Sequence, residues 1–190
     1  MMGVKVLQAE VESDKDTAEK FLVAPTHLSN KLLQFFGDTL DLAAYDQCDW
    51  VKRLGEGVFL REMTLVTVLH LGKLPVYEGE KEGSDHWVSL VIDGKNHYFF
   101  YGDSLQGKGS LDIPLKLLEA LTMWKSRYTF SHFSTGVLDT TAQDDNYSCG
   151  LYALNAIEHF VRPDIVKLVK PTHVACVRLQ AMTKIITLIC

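Results

Sequence analysis

The sequence predicts an α+β layered domain, on three observations. Two short strand-like apolar runs, 86–92 and 97–102, sit side by side in the middle of the chain. A segment with helical spacing of apolar residues precedes them at 27–36, and further ones follow at 111–125, 149–162 and 173–189. Helices before and after a cluster of strands must bury their apolar faces against one another in layers.

Element by element, residues 10–20 carry seven charged side chains and read as a solvated arm or helix face. In 27–36, Leu28, Leu32, Leu33 and Phe36 recur at helical spacing. Residues 57–71 are apolar, and their period does not choose between helix and strand. Residues 75–85 form a polar loop with Pro75, Gly79 and Gly83. The turn signal Asp93-Gly94-Lys95-Asn96 then joins the two runs into a hairpin. Gly107-Lys108-Gly109 marks another loop. Leu111, Leu115, Leu118 and Leu121 predict a helix over 111–125, and 127–133 reads as a strand. Leu151, Leu154, Ile157 and Val161 form one face of a helix over 149–162 that Pro163 stops. A last helix is expected over 173–189. The length fits one domain, divided into an N-terminal extension or arm (1–35) and a main body (36–190). The abrupt end at Cys190 suggests a fragment of a longer protein.

Composition excludes several classes. A net charge of −5, without a basic run, argues against non-specific nucleic-acid binding. No apolar stretch is long enough to span a membrane, and the N-terminus lacks the apolar core of a signal peptide. Cys48, Cys149, Cys176 and Cys190 show no paired spacing, so the thiols read as reduced, in an intracellular protein of nucleus or cytoplasm. No Cys/His cluster has metal-ligand spacing. The stretch Gly102–Gly109 approaches a phosphate-binding loop, but Gly109 stands where that loop needs Ser or Thr.

Four residues carry chemistry. Cys149 leads the 149–162 helix, with Ser148 as a candidate N-cap and Gly150 leaving room for a substrate backbone. The positive end of a helix dipole favours the thiolate, which is the nucleophilic form. His86 opens the first strand of the hairpin and is the candidate base. His97 is its rival, but it starts the strand that Asp103 ends, several positions from the carboxylate. Across the turn, His86 comes near the end that Asp103 closes. Asp103 would orient the imidazole, and Gln143 would join the Cys149 N–H in holding an oxyanion. Taken singly, each has an ordinary reading: a structural thiol, a strand-end histidine, a turn aspartate, a loop glutamine.

Their order changes that. Asp103 follows His86 by 17 positions, and Gln143 precedes Cys149 by six. With His86-Trp87, Asp103-Ser104-Leu105 and Cys149-Gly150, the chain resembles the ubiquitin-like-protein proteases, the SUMO proteases and their relatives among the adenain-like cysteine peptidases, over roughly 50–162. The resemblance implies a papain-like/adenain-like fold with a central mixed sheet, flanking helices and the nucleophile at a helix N-terminus. It implies a thiol isopeptidase acting after the C-terminal Gly-Gly of a ubiquitin-like modifier, SUMO or ubiquitin, on conjugates or precursor, without a cofactor. Trp87 would cover a narrow tunnel for the Gly-Gly tail, and Phe59 would form its second wall. In that place Phe59-Leu60-Arg61-Glu62 replaces the family's Trp-Leu-Asn-Asp-like motif, and Ser148 replaces an Asp common before the Cys. The acidic charge leans toward a less acidic modifier such as ubiquitin. The alternatives are a non-catalytic module that binds the modifier and an acyltransferase of the same clan.

Overall fold

The computed structural model describes residues 2–73, 85–105, 112–145 and 147–189. The chain opens with helices α1 (Met2–Ser13) and α2 (Lys15–Ala18), strand β1 (Phe21–Val23), and helices α3 (Leu28–Phe36), α4 (Leu42–Asp46) and α5 (Asp49–Gly55). A π-helical turn, Glu56–Leu60, leads into β2 (Thr64–Lys73). Then come β3 (Asp85–Asp93), β4 (Tyr98–Gly102), α6 (Leu115–Ser126), β5 (Ser134–Val137), α7 (Cys149–Val161) and α8 (Val174–Ile189).

The strands form one mixed sheet in sequence order, β1-β2-β3-β4-β5. The two outer pairs are parallel, and the two inner pairs are antiparallel. The α+β expectation holds, with the sheet buried on both faces. Leu65, Leu69, Val88, Leu90, Ile92, Phe99 and Tyr101 join the cluster built with α3 and α6. Val66, Val68 and Val91 join the cluster built with α1 and α7. Strict alternation of side chains divides each strand between the two. Burial on both faces explains the unbroken apolar runs in the sequence.

It also explains why 57–71 was ambiguous: that segment is a π turn followed by a strand. The first 35 residues, expected as an extension or arm, are built into the layers. Val4, Leu7 and Val11 of α1 are buried in the second cluster, and β1 is an edge strand of the sheet. Glu10 of the charged run pairs with Arg162, at the end of α7. Helix α6 begins at Leu115 because Pro114 precedes it, and the residue before a proline avoids helix. The strand expected over 127–133 begins only at Ser134, whose N–H donates to the His97 carbonyl at 2.9 Å. The earlier residues are held by local bonds instead, as where Lys125 Nζ donates to the Ser131 carbonyl at 2.7 Å. The loop expected at Gly107-Lys108-Gly109, and all of 75–85 but Asp85, lie outside the described residues.

The hairpin turn is tied down by Asp93, which accepts from the Asn96 N–H at 2.9 Å and from Asn96 Nδ2 at 2.8 Å. Here Gly94 is required by space. An added Cβ would lie 2.0 Å from the Val58 carbonyl oxygen and 2.8 Å from that of Met63. Both are backbone atoms, so Gly94→Ala is expected to cost about 1–3 kcal/mol. A thermal melt lowered by several degrees checks this, and an unchanged melt refutes it. At the other end of the hairpin, Gly72 (φ +88°) makes a β-bulge in β2 opposite His86, with His70 facing Trp87.

Candidate active site

The site lies where β3 begins, β4 ends and α7 begins. Ser89 of β3 donates to the Ala153 carbonyl of α7 at 3.0 Å, locking helix to sheet. This lock brings Cys149, four residues before Ala153, to the end of β3 that carries His86. The Cys149 thiol donates to the Asp85 carbonyl at 3.5 Å. Both Cys149 and His86 are buried, at 4% and 3% exposure.

His86 Nε2 lies 2.9 Å from Asp103 Oδ2. The other carboxylate oxygen, Oδ1, accepts from the Leu105 N–H at 2.9 Å. Both oxygens are thus engaged, and Nε2 of the imidazole is held. Nδ1 is left buried without a hydrogen-bond partner among the described residues, free for the sulfur. Burial opposes the charged imidazolium. The Asp103 hydrogen bond and the proximity of Cys149 outweigh it, and the His86 pKa is pushed up to about 9. At neutral pH the ring is therefore protonated. His97 takes no part. It sits at the far end of the hairpin with φ +61°, its ring 4.9 Å from that of Phe133.

Gln143 is stitched to the residue after Asp103. Its Oε1 accepts from Ser104 Oγ at 2.5 Å, and its backbone N–H donates to the Ser104 carbonyl at 2.7 Å. Its Nε2 donates to the Asp145 carbonyl at 2.6 Å. That carbonyl can only accept, which settles which end of the amide carries the nitrogen. One Nε2 hydrogen is thereby engaged and one remains. Ser104 entered the sequence reading only as part of Asp103-Ser104-Leu105, and Asp145 had no role in it; the role of Ser104 depends on Gln143, about 40 residues away, and that of Asp145 on the conformation of the turn before Cys149.

Ser148 stands at the N-cap position, yet its side chain makes no capping bond. Asp145 organises the helix entry instead, accepting from the N–H groups of Tyr147 (3.0 Å) and Ser148 (2.7 Å). Trp87 is half-buried against the cluster beneath α7. Its ring lies 4.7 Å from that of His70, whose Nε2 is 3.2 Å from Asp85 Oδ1. His70 also escaped the sequence reading, since only the β2–β3 register brings it to Trp87.

Phe59 is not brought to this site. It is 7% exposed, between the rings of Trp124 (5.2 Å), Tyr128 (5.7 Å) and Phe133 (5.6 Å). The preceding Val58 abuts Gly94, at the turn. His86 is eight strand residues away, roughly 25 Å at the usual rise. The expected second wall is corrected: Phe59 belongs to the core.

A model of the Ulp1 protease family, C-terminal catalytic domain, matches residues 65–185. No curated protein sequence matches the chain. Among solved structures, one of the SUMO protease Ulp1 with its catalytic cysteine oxidised to a sulfonic acid is similar at TM-score 0.65 and 17% identity, over 98% of this chain and 75% of that one. The C-terminal Ulp1 protease domain in complex with Smt3, the yeast ortholog of SUMO, gives TM-score 0.58 at 17% identity, over 96% and 72%. The Ulp1-like SUMO protease catalytic domain of Chaetomium thermophilum gives 0.61 at 16%, over 96% and 67%. At these identities the likeness is one of fold, and it agrees with the mixed sheet and flanking helices described above.

Proposed function

Because the chain belongs to the Ulp1 protease family, we propose that it is a thiol peptidase that cleaves after the C-terminal Gly-Gly of a ubiquitin-like modifier, SUMO or ubiquitin, freeing it from conjugates or from its precursor. The observation that carries this is the buried His86, bound through Nε2 to Asp103 and left with Nδ1 free beside Cys149. An imidazole held by a carboxylate on one nitrogen can shuttle a proton on the other.

In the proposed reaction, Cys149 passes its thiol proton to His86 Nδ1, and the resulting thiolate attacks the carbonyl carbon of the modifier's terminal glycine. The Cys149 N–H and the remaining Gln143 Nε2 hydrogen hold the oxyanion. His86 gives its Nδ1 proton to the leaving amine as the C–N bond breaks, which leaves a thioester. His86 then takes a proton from water, the resulting oxygen attacks the thioester, and the sulfur leaves with the modifier's carboxylate freed. Trp87 would cover the thin Gly-Gly segment. That the related Ulp1 domain is complexed with Smt3 favours SUMO; the net charge of −5 favours a less acidic modifier.

Modifiers carrying a tail electrophile test the reading. A covalent adduct with the SUMO or the ubiquitin probe is expected, and it is expected to vanish in Cys149→Ala. Folded protein that forms no adduct with any modifier probe would point instead to a non-catalytic module that binds the modifier.

A further inference from the structure

The segment leading to Cys149 is held from two sides. One hold is the Ser104–Gln143 pair. The other comes from α8, which among the described residues supplies nothing else to the site described above. Arg178 Nη2 donates to Ser148 Oγ at 2.7 Å, and its guanidinium lies 4.8 Å from the centre of the Tyr147 ring. Ser148 Oγ in turn donates to Asp145 Oδ2. A hydroxyl has one hydrogen and two lone pairs, so donating to Asp145 while accepting from Arg178 is internally consistent. Ser148 is 1% exposed, whereas Tyr147 is 72% exposed and rests on the guanidinium. Burial alone would raise the Asp145 pKa. The Ser148 hydroxyl and the two backbone N–H groups outweigh it, with the Arg178 charge adding to them, and hold the carboxyl below its usual range.

We propose that Arg178 is a positioning residue for the nucleophile: through it, α8 sets the backbone of Tyr147 and Ser148, and so the placement of the Cys149 sulfur and N–H. The inference rests on the reading of Cys149 as the nucleophile. Ser148 is covalently joined to Cys149, so a shift of its peptide is passed directly to the N–H proposed to meet the oxyanion. Displacements near 1 Å at such a point cost about 10²-fold in rate. Without Arg178, the bonds from the Tyr147 and Ser148 N–H groups to Asp145 are untouched, but the bond that ties Ser148 to α8 is lost.

The test compares Arg178→Ala, Arg178→Lys and Arg178→Gln in the full chain. Three quantities are measured: kcat and KM on a fluorogenic modifier amide, the iodoacetamide alkylation rate of Cys149 read by peptide mass spectrometry, and the thermal melt. Arg178→Ala is expected to lower kcat about 10- to 100-fold with KM within about twofold, and to slow alkylation of Cys149 but not of Cys48. Arg178→Lys is expected to recover only part of kcat, because an ammonium can donate to Ser148 but cannot lie flat on Tyr147. A lower melting temperature with wild-type kcat and alkylation, measured where the variant is folded, would overturn the proposal and leave Arg178 a purely structural tie. Should Arg178→Ala not fold, the Lys and Gln variants carry the same comparison. If the wild type turns over no modifier, the substrate reading fails separately, and alkylation alone decides: slower in the variants supports the proposal, equal rates overturn it.

Discussion

Asp103→Asn is expected to lower kcat/KM by about 10²- to 10⁴-fold while leaving the fold intact. The reason lies in the two oxygens of Asp103. Oδ1 accepts the Leu105 N–H and Oδ2 faces His86 Nε2. In the amide, the single oxygen is drawn to the Leu105 N–H, which has only hydrogen to offer. The new NH2 group then points at His86 Nε2 and forces that nitrogen to be an acceptor. The imidazole proton moves to Nδ1, toward Cys149, in a neutral ring that can no longer take a proton on that side. Positive charge on the ring also loses its partner.

The same substitution should change the response to pH. The folded-state pKa of His86, about 9, lies above its ordinary value of 6.5. A raised pKa stabilises the fold fully below the ordinary value, and the stabilisation is lost as pH rises through about 9. The contribution is on the order of 3 kcal/mol. Melting temperature should therefore fall between pH 6.5 and 9.5 in the wild type and fall less in Asp103→Asn. Cleavage should decline over the upper part of that range, as the proton for the leaving amine is lost. Identical pH dependence of the melts in both proteins would show that Asp103 does not hold the charge of His86.

What could be read from the sequence, and what could not, follows from where each residue's partners lie. The hairpin was legible because Asp93-Gly94 sits between two apolar runs. The helix of Cys149 was legible because one face repeats and Pro163 ends it. His86, Asp103 and Cys149 could be grouped by order and spacing, and the structure does bring them together. β5 was misplaced because Ser134-Thr135-Gly136-Val137 is a weak strand former paired along one side only, whereas the aromatic residues just before it pack or protrude without joining a ladder. Arg178 and His70 carry no local signal. Arg178 lies 30 residues from Ser148 in the chain, and His70 reaches Trp87 only through a register that is interrupted directly after it, by the bulge between His70 and Gly72.

Phe59 shows how a motif place can mislead, and it yields the second large effect. Phe59→Ala is expected to destabilise the fold by about 3–5 kcal/mol, lowering the melting temperature by roughly 10 °C. The ring fills a space bounded by Trp124, Tyr128 and Phe133, two of them edge-on to it and one stacked. Such aromatic packing adds to area burial, and a tightly packed site leaves a cavity when the ring is removed. The loss should reach the hairpin turn, because Val58 is wedged against Gly94. It should not reach Trp87, at the other end of β3. Below its melting range the variant should therefore keep KM and kcat within about twofold of the wild type, whereas Trp87→Ala should raise KM at little cost in stability, since Trp87 is only half-buried. A Phe59→Ala protein that melts like the wild type but has a tenfold higher KM would return Phe59 to the substrate channel. The arrangement of its three aromatic neighbours says otherwise: the ring that the motif offers to a substrate is already enclosed by the protein's own core.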